Sequence, residues 1–435
     1  MRISQISPSD IDGGSERTAL DLHTQFIDRG LDANLLVGRK VKTPAAVGVY
    51  EIPRSKAEEQ RLRLVKTLLG TPKNAHRAKI IEGIATPSRI RCWRDRHDDF
   101  SYNTLTAFQS SGALDSDVLQ YHSLYGHYLN VGEVVELSHL IPTFVKVHDD
   151  WVFTGKCTSH LGCQKYHEGC QQCPRWPRYH ASIRQNYVRK EELWDKALFH
   201  VVTPSEWMRD QLEGTIFQPA IISSRVIPNG VDVDVFKPSD KLGIRTELGI
   251  PSDALIILCG AASAKSSIKN LAYIAKAIRS VANTSQYLEN RLHVMVLGGD
   301  PVDFDVGAIP VTAIPFIDDP QRLAHIIQAT DVYVHASKAE SFGRALVEAQ
   351  ACGVPVIATD VGGVGETLVD GKTGFLVPQD DLAAIVQALL VILTDDTKRH
   401  EMAMHAREHV VENLSDTLMA DRYLDYYEEI LCASS

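Results

Sequence analysis

Short apolar runs recur along this chain, and nearly every one closes on polar residues or glycine. They read "RISQIS", "DANLLVG", "DVLQYHS", "TFVKVHD" and "FHVVTPS" in the first half, then "ALIILCG", "LHVMVLGG", "DVYVHAS" and "VPVIATD" in the second. Each reads as a strand, and helical stretches such as "SERTALDLHTQFIDRG" separate most of them. That alternation builds parallel sheets with helices on both faces, and ligands then bind beyond the carboxyl ends of the strands. Between the two series lies "SSRVIPNGVDVDVFKP", broken by Pro228, Asn229, Gly230 and Pro238, which reads as an interdomain hinge. A chain of 435 residues is too long for one ordinary core. The expected fold class is α/β: two Rossmann-like, doubly wound domains facing one another across a cleft.

Composition narrows the function. Hydrophobic residues make up 44% and charged residues 23%, as in ordinary globular chains. The formal net charge of −10 argues against a nucleic-acid partner. One window departs from this balance: Arg54 to Arg96 holds twelve Lys and Arg against four Asp and Glu. It suits an anionic membrane surface or anionic acceptor, or else is a solvated face. The N-terminal "MRISQISPSDIDGGSER" lacks the apolar stretch of a signal peptide. No apolar run reaches the ~18 residues of a membrane span. The expectation is a cytoplasmic protein, at most peripheral to a membrane, in a compartment that disfavours structural disulfides.

The stretch "AESFGRALVEAQACGVPVIATDVGGVGE", residues 339–366, carries the sharpest chemical signal. Glu340 falls in the loop after the strand "DVYVHAS", and Glu348 falls in the following helix, which Gly353 closes. Backbone N–H groups near Ser341, Phe342, Gly343 and Arg344 suit an anion at the helix N-terminus. The next strand opens on a second glycine turn at Gly362 and Gly363. A nucleotide-sugar has matching parts: a diphosphate for the helix end, a ribose diol for Glu348, and sugar hydroxyls for Glu340. The alternative is a solvent-facing helix with two unrelated glutamates.

In that order of elements the stretch resembles the E-x7-E signature of the retaining glycosyltransferases of the GT-B fold, family GT4. The resemblance extends to "IDGGSER", to "VIPNGVDVDVFKP" and to "DGKTGFLVP". The region "KVHDDWVFTGKCTSHLGCQKYHEGCQQCP" resembles the subgroup of bacterial exopolysaccharide and colanic-acid-type synthesis. The resemblance implies a metal-independent enzyme with an acceptor domain at about 1–235 and a nucleotide-sugar domain at about 236–412. It implies a last helix within 413–435 that crosses back to the first domain. It places the backbone at Gly14 against donor phosphates, His148 beside the transferred sugar and Lys269 on the diphosphate. The donor would be UDP-, GDP- or ADP-linked, and the acceptor a glycan, a lipid-linked glycan or a small molecule.

One departure stands out. The family supplies an arginine close before that lysine, whereas this chain reads "GAASAKSSIKN". Lys265 is the cation left to substitute, though an ammonium lacks the bidentate fork of a guanidinium; Arg344 is a second candidate. Two other functions stay open: a same-fold epimerase or phosphorylase, and a silent nucleotide-sugar-binding protein.

Cys157, Cys163, Cys170 and Cys173 fall within seventeen residues with gaps of five, six and two. They read either as a closed structural zinc site, with His160 or His167 replacing a ligand, or as a reduced thiol cluster. No cofactor is expected for catalysis. Asp115–Asp117, Asp232–Asp234 and Asp303–Asp305 are weak metal pairs for lack of strand-end context. His122 reads as a cleft residue or a packed one. "PRWPRYHASIRQNYVRK" reads as an amphipathic helix or a glycan-binding face.

Overall fold

The computed structural model describes residues 1–11, 13–40, 48–53, 56–69, 84, 92, 94–98, 102–260, 266–299 and 304–433. Most of the basic window, together with Lys265 and Asp303, lies outside the described residues.

Two compact units divide the chain. Unit one comprises Met1–Thr203, Met208–Val226 and Leu424–Ser435. Its sheet contains β1 (Arg2–Ser7), β2 (Asp32–Val37), β3 (Val49–Glu51), β4 (Val118–Tyr121), β5 (Thr143–Lys146), β6 (Phe199–Thr203) and β7 (Ile221–Val226). The order is β3-β2-β1-β4-β5-β6-β7, and neighbouring strands are parallel. Helix α1 (Gly14–Asp28) follows β1 and buries Ala19, Leu22 and Phe26.

Unit two comprises Pro204–Trp207 and Ile227–Tyr423. Its strands are β8 (Leu255–Gly260), β9 (Leu292–Leu297), β10 (Val311–Ile314), β11 (Val332–His335), β12 (Val356–Thr359) and β13 (Gly374–Val377). They run parallel in the order β10-β9-β8-β11-β12-β13. Alternation along each strand feeds two separate cores. Ile256, Leu258, Tyr333, Val356 and Ala358 enter one, whereas Leu255, Ile257, Cys259, Val334 and Ile357 enter the other. Helix α2 (Arg344–Ala351) covers the first core with Leu346 and Val347; α3 (Leu271–Ala282) and α4 (Leu382–Thr394) cover the second. Strands covered on both faces must be apolar throughout, which is why the central runs stood out.

The division between the units falls after Val226, earlier than the expected 235. The hinge-like residues are anchored in unit two. Val231 N–H donates to the Leu414 carbonyl at 3.0 Å, Asp416 N–H donates to the Val231 carbonyl at 3.0 Å, and Arg407 donates to the Phe236 carbonyl at 2.7 Å. The last helix, α5 (Asp416–Ala433), begins in unit two, and from Leu424 its residues belong to unit one. There Tyr427 Oη donates to Gln120 Oε1 at 2.9 Å. No helix among the described residues is long and apolar enough to cross a membrane.

Candidate functional site

In a doubly wound sheet the strand order reverses at one point, and the loops there part to leave a crevice. In unit two that point lies between β8 and β11, at the first and fourth strands of the unit's sequence. Lys269 ends a short 3₁₀ turn, Ser267–Lys269, and Asn270 takes a left-handed backbone (φ +54°) to begin α3. The Lys338 N–H donates to the Ile268 carbonyl at 2.9 Å, tying this turn to the loop after β11. Lys269 Nζ then lies 2.7 Å from Glu340 Oε2, and His335 Nε2 lies 3.4 Å from the same oxygen.

The electrostatics follow from this geometry. Burial alone would push the Glu340 carboxyl up, but Lys269 and His335 outweigh it and hold the group at about 2. Burial, aided by the Lys269 charge, lowers His335 below the ordinary histidine range against the opposing pull of Glu340. At neutral pH Glu340 is therefore a carboxylate and His335 a neutral imidazole.

The glycine turn after β12 shapes the Glu340 loop. A Cβ on Gly362 (φ +60°) would lie 1.8 Å from the Glu340 carbonyl oxygen, and one on Gly363 would lie 2.3 Å from that of Ser341. Gly363 N–H donates to the Glu340 carbonyl at 3.1 Å, and Ser205 Oγ donates to the Ser341 carbonyl at 2.8 Å. The close approach expected of these glycines is thus made to the chain itself. Gly343 (φ +98°) opens α2 with no side-chain cap, and Phe342 beside it is buried.

Within α2, Arg344 Nε donates to Glu348 Oε1 at 2.9 Å, one helical turn apart. Its Nη1 donates to the Gly230 carbonyl at 2.9 Å. Arg344 is almost fully buried in these contacts. Arg344, the second candidate for the diphosphate, here serves Glu348 and the segment after Val226 with its guanidinium. The Glu348 side chain is 12% exposed.

The strand ends of unit one carry different chemistry. Gly13 is the extended N-cap of α1 (φ −177°) and offers no side-chain cap, and Gly14 begins the helix exposed. His148 and Asp149 follow β5, both part-exposed, and the His148 Nε2 has no hydrogen-bond partner. Burial and the nearby Lys146 hold His148 neutral, well below its ordinary value. Burial lifts the Asp149 carboxyl to about 7, against the Trp151 N–H that it accepts at 2.8 Å. His122 is packed: it is fully buried, with Nε2 2.8 Å from Gln5 Oε1. "HASIRQNYVRKEELW" forms a helix whose Lys190 is buried against Asp98 and the Trp151 ring.

The four clustered cysteines are free thiols. Burial raises Cys157 to about 11, and Cys173, Cys170 and Cys163 are all near enough to add to that rise. The Gly155 N–H donates to Cys170 Sγ at 3.1 Å. Among the described residues, however, no group of three or more His, Cys, Asp or Glu is placed to hold a metal ion. The cluster thus has the proximity of the expected zinc site without its ligand geometry. One described aspartate of each pair has a local partner: Asp117 accepts from the Arg2 N–H, Asp232 accepts from the Asp234 and Val235 N–H groups, and Asp305 pairs with Arg279. The remaining isolated cysteines are buried except Cys432, which is exposed.

Two residues at the strand ends escape a reading of motif and spacing. His335 was counted only as part of the strand "DVYVHAS". Its signal was a titratable residue closing an apolar strand five positions before Glu340. Asp149 had the same signal beside His148.

Residues 244–409 match the family described as Glycosyl transferases group 1. A D-inositol 3-phosphate glycosyltransferase of Stackebrandtia nassauensis is 34% identical over 196 residues, 42% of this chain and 44% of that protein. The protein of the same name from Saccharomonospora viridis is 30% identical over 230 residues, 50% of this chain and 53% of that protein. The chain spans about half the length of these curated relatives. Among solved structures, sucrose-phosphate synthase from Thermosynechococcus elongatus superposes with a TM-score of 0.65 at 19% identity, covering all of both chains. HepE of Anabaena in complex with UDP-glucose gives 0.65 at 15% identity, covering 99% of this chain and all of that one. The fold is GT-B, and the group 1 family lies over the unit-two site. These relatives carry no exopolysaccharide or colanic-acid name, so the comparison does not extend to that subgroup.

Proposed function

We propose that the chain is a retaining glycosyltransferase that moves a sugar from a nucleotide-sugar to an acceptor hydroxyl without a catalytic metal. The observation that carries this reading is the convergence of Lys269 and His335 on Glu340 at the switch point of unit two, with Glu348 one helix away. Glu348, at the partly exposed end of its pair with Arg344, would accept from the ribose diol. The uncapped N-terminus of α2 and the Lys269 ammonium would face the diphosphate, whose charge grows as the bond to the sugar breaks. Glu340 would accept from hydroxyls of the transferred sugar.

In the reaction proposed, the anomeric carbon–phosphate oxygen bond breaks and the acceptor oxygen bonds the same carbon from the same face. The acceptor proton passes to the departing phosphate oxygen, so no enzymic base is required. His148, neutral and unpartnered at Nε2, is suited to hydrogen-bond the sugar. The named relatives point to a sugar or an inositol phosphate as the acceptor class, and a glycan or lipid-linked glycan remains the alternative. A peripheral membrane site in the cytoplasm would suit the latter.

Calorimetry against UDP-, GDP- and ADP-sugars, followed by nucleotide release with and without candidate acceptors, tests this reading. Acceptor-dependent release with retained anomeric configuration is expected. Donor binding without turnover with any acceptor would favour a silent binding protein, and acceptor-independent conversion of the donor would favour an epimerase.

A further inference from the structure

His335 is 5% exposed, and its Nε2 lies in the protein interior 3.4 Å from Glu340 Oε2 without completing a hydrogen bond. A buried imidazole nitrogen left in this state is costly, and such groups are ordinarily satisfied by a neighbour or a ligand. The neighbour is already at hand, since the gap needs to close by only about half an ångström to reach a normal N–H···O length. Bonds of this kind are often long in ligand-free sites and tighten when the ligand binds. The ring is also fixed in place: β11 holds its backbone, and the Tyr333 ring lies two residues earlier with centroids 6.1 Å apart.

We infer that His335 is a positioning residue for the transferred sugar: its Nε2–H and the Lys269 ammonium grip one oxygen of Glu340 and leave the other aimed at the donor hydroxyls. This rests on the donor-site reading given above. A carboxylate held by one flexible lysine can swing; one held also by a ring on a buried strand cannot. The residue therefore acts on recognition of the sugar and leaves recognition of the nucleotide to Glu348 and α2. The groups facing the imidazole are Lys269 from the 3₁₀ turn, Glu340 from the loop and Tyr333 from its own strand.

Two arms test the inference on the full chain. Nitrogen-edited spectra of the histidine side chains, with His335 assigned by its loss in His335→Gln, need no ligand. They should show a neutral ring protonated at Nε2 near neutral pH, with a resonance that moves in Glu340→Gln. A ring unprotonated at Nε2, or one indifferent to Glu340→Gln, overturns the inference whether or not the chain transfers sugar. In the second arm His335→Leu should raise KM for the nucleotide-sugar about tenfold, the scale of one hydrogen bond. The Kd of the free nucleoside diphosphate should stay unchanged, and His335→Gln should recover most of the loss because its amide still donates. Equal losses for sugar-nucleotide and free nucleotide, or no rescue by glutamine, would reduce His335 to a packing residue. Wild-type chain that binds no nucleotide-sugar would defeat the donor reading itself, with the first arm still deciding the contact.

Discussion

At the strand ends of unit two, Glu340 is held ionised by Lys269 and Glu348 is paired with Arg344. At those of unit one, burial holds His148 neutral and lifts Asp149 to about 7. Both edges close the same kind of parallel sheet, so the fold does not dictate the difference. The ion pairs come from cations placed one turn or one loop away from each carboxylate. Around His148 the nearby charge, Lys146, is of the kind that drives a proton off, and Asp149 has Asp150 for a neighbour. An edge built of fixed ions suits a diphosphate that gains charge, whereas an edge of a neutral imidazole and a carboxyl that titrates near neutrality suits a hydroxyl.

The largest effect should come from removing the cation. Lys269→Ala is expected to lower transfer by roughly a hundred- to a thousandfold, the scale of lost single charge-stabilising groups. Steady-state turnover on a matched donor and acceptor measures it; turnover within a few-fold of wild type would place the diphosphate elsewhere. Glu348→Ala should weaken free nucleotide by about 1.5–3 kcal/mol, the scale of hydrogen bonds to charged groups. It also removes the carboxylate that pairs with Arg344, so calorimetry needs a parallel melting curve. Unchanged nucleotide affinity would remove the ribose role.

Gly362→Ala sharpens the comparison from the backbone side. The added Cβ meets the Glu340 carbonyl at 1.8 Å, in a left-handed backbone. A cost of about 1–3 kcal/mol is expected from the forced shift of the Glu340 loop. Chemical denaturation reads the cost; a variant as stable as wild type, with the same donor affinity, would show that the loop is not moulded by this turn.

The last prediction concerns unit one and is a pH trend. Asp149 rises to about 7 in the folded chain, against about 3.9 in the unfolded one. Between those values the native state keeps a proton that the unfolded state has released. Wild-type stability from this group therefore falls as pH rises from about 4 to about 7 and then levels. Asp149→Asn has no such titration, so its stability relative to wild type should rise over that window and then stay flat. Differences in melting temperature at about pH 5 and about pH 8 measure it; a difference that is flat, or that shrinks with pH, would mean that folding does not raise the Asp149 carboxyl. The comparison between variant and wild type removes the opposite acid-side trend of the neutral histidines.

Much of this architecture was legible. The central strands β8, β11 and β12 are apolar throughout because both faces are buried, and that pattern survives in any sequence reading. The edges were harder. β10 exposes Val311, Thr312 and Ala313, and β7 alternates exposed and part-buried residues, so neither looks like a buried strand. β7 also runs straight into Pro228, Asn229 and Gly230, which drew its last residues into the hinge. Motif order was enough to put Glu340 in the loop after β11, Glu348 on α2 and Lys269 in the turn after β8. That Arg344 is bound to Glu348 and Gly230 was not legible, since a four-residue spacing permits an ion pair without requiring one. His335 was hidden by its neighbours: inside "DVYVHAS" a histidine passes for one more strand residue, and only the fold brings it to Glu340.

The central claim is that a nucleotide-sugar is held at the strand ends of unit two. Hydrogen exchange of the full chain, alone and saturated with whichever of UDP-, GDP- or ADP-sugar binds in calorimetry, tests it most directly. The account predicts slowed exchange across residues 335–348 and 360–367, abolished at the same donor concentration in Lys269→Ala. A bound donor that leaves both segments unchanged and slows exchange only elsewhere would contradict it.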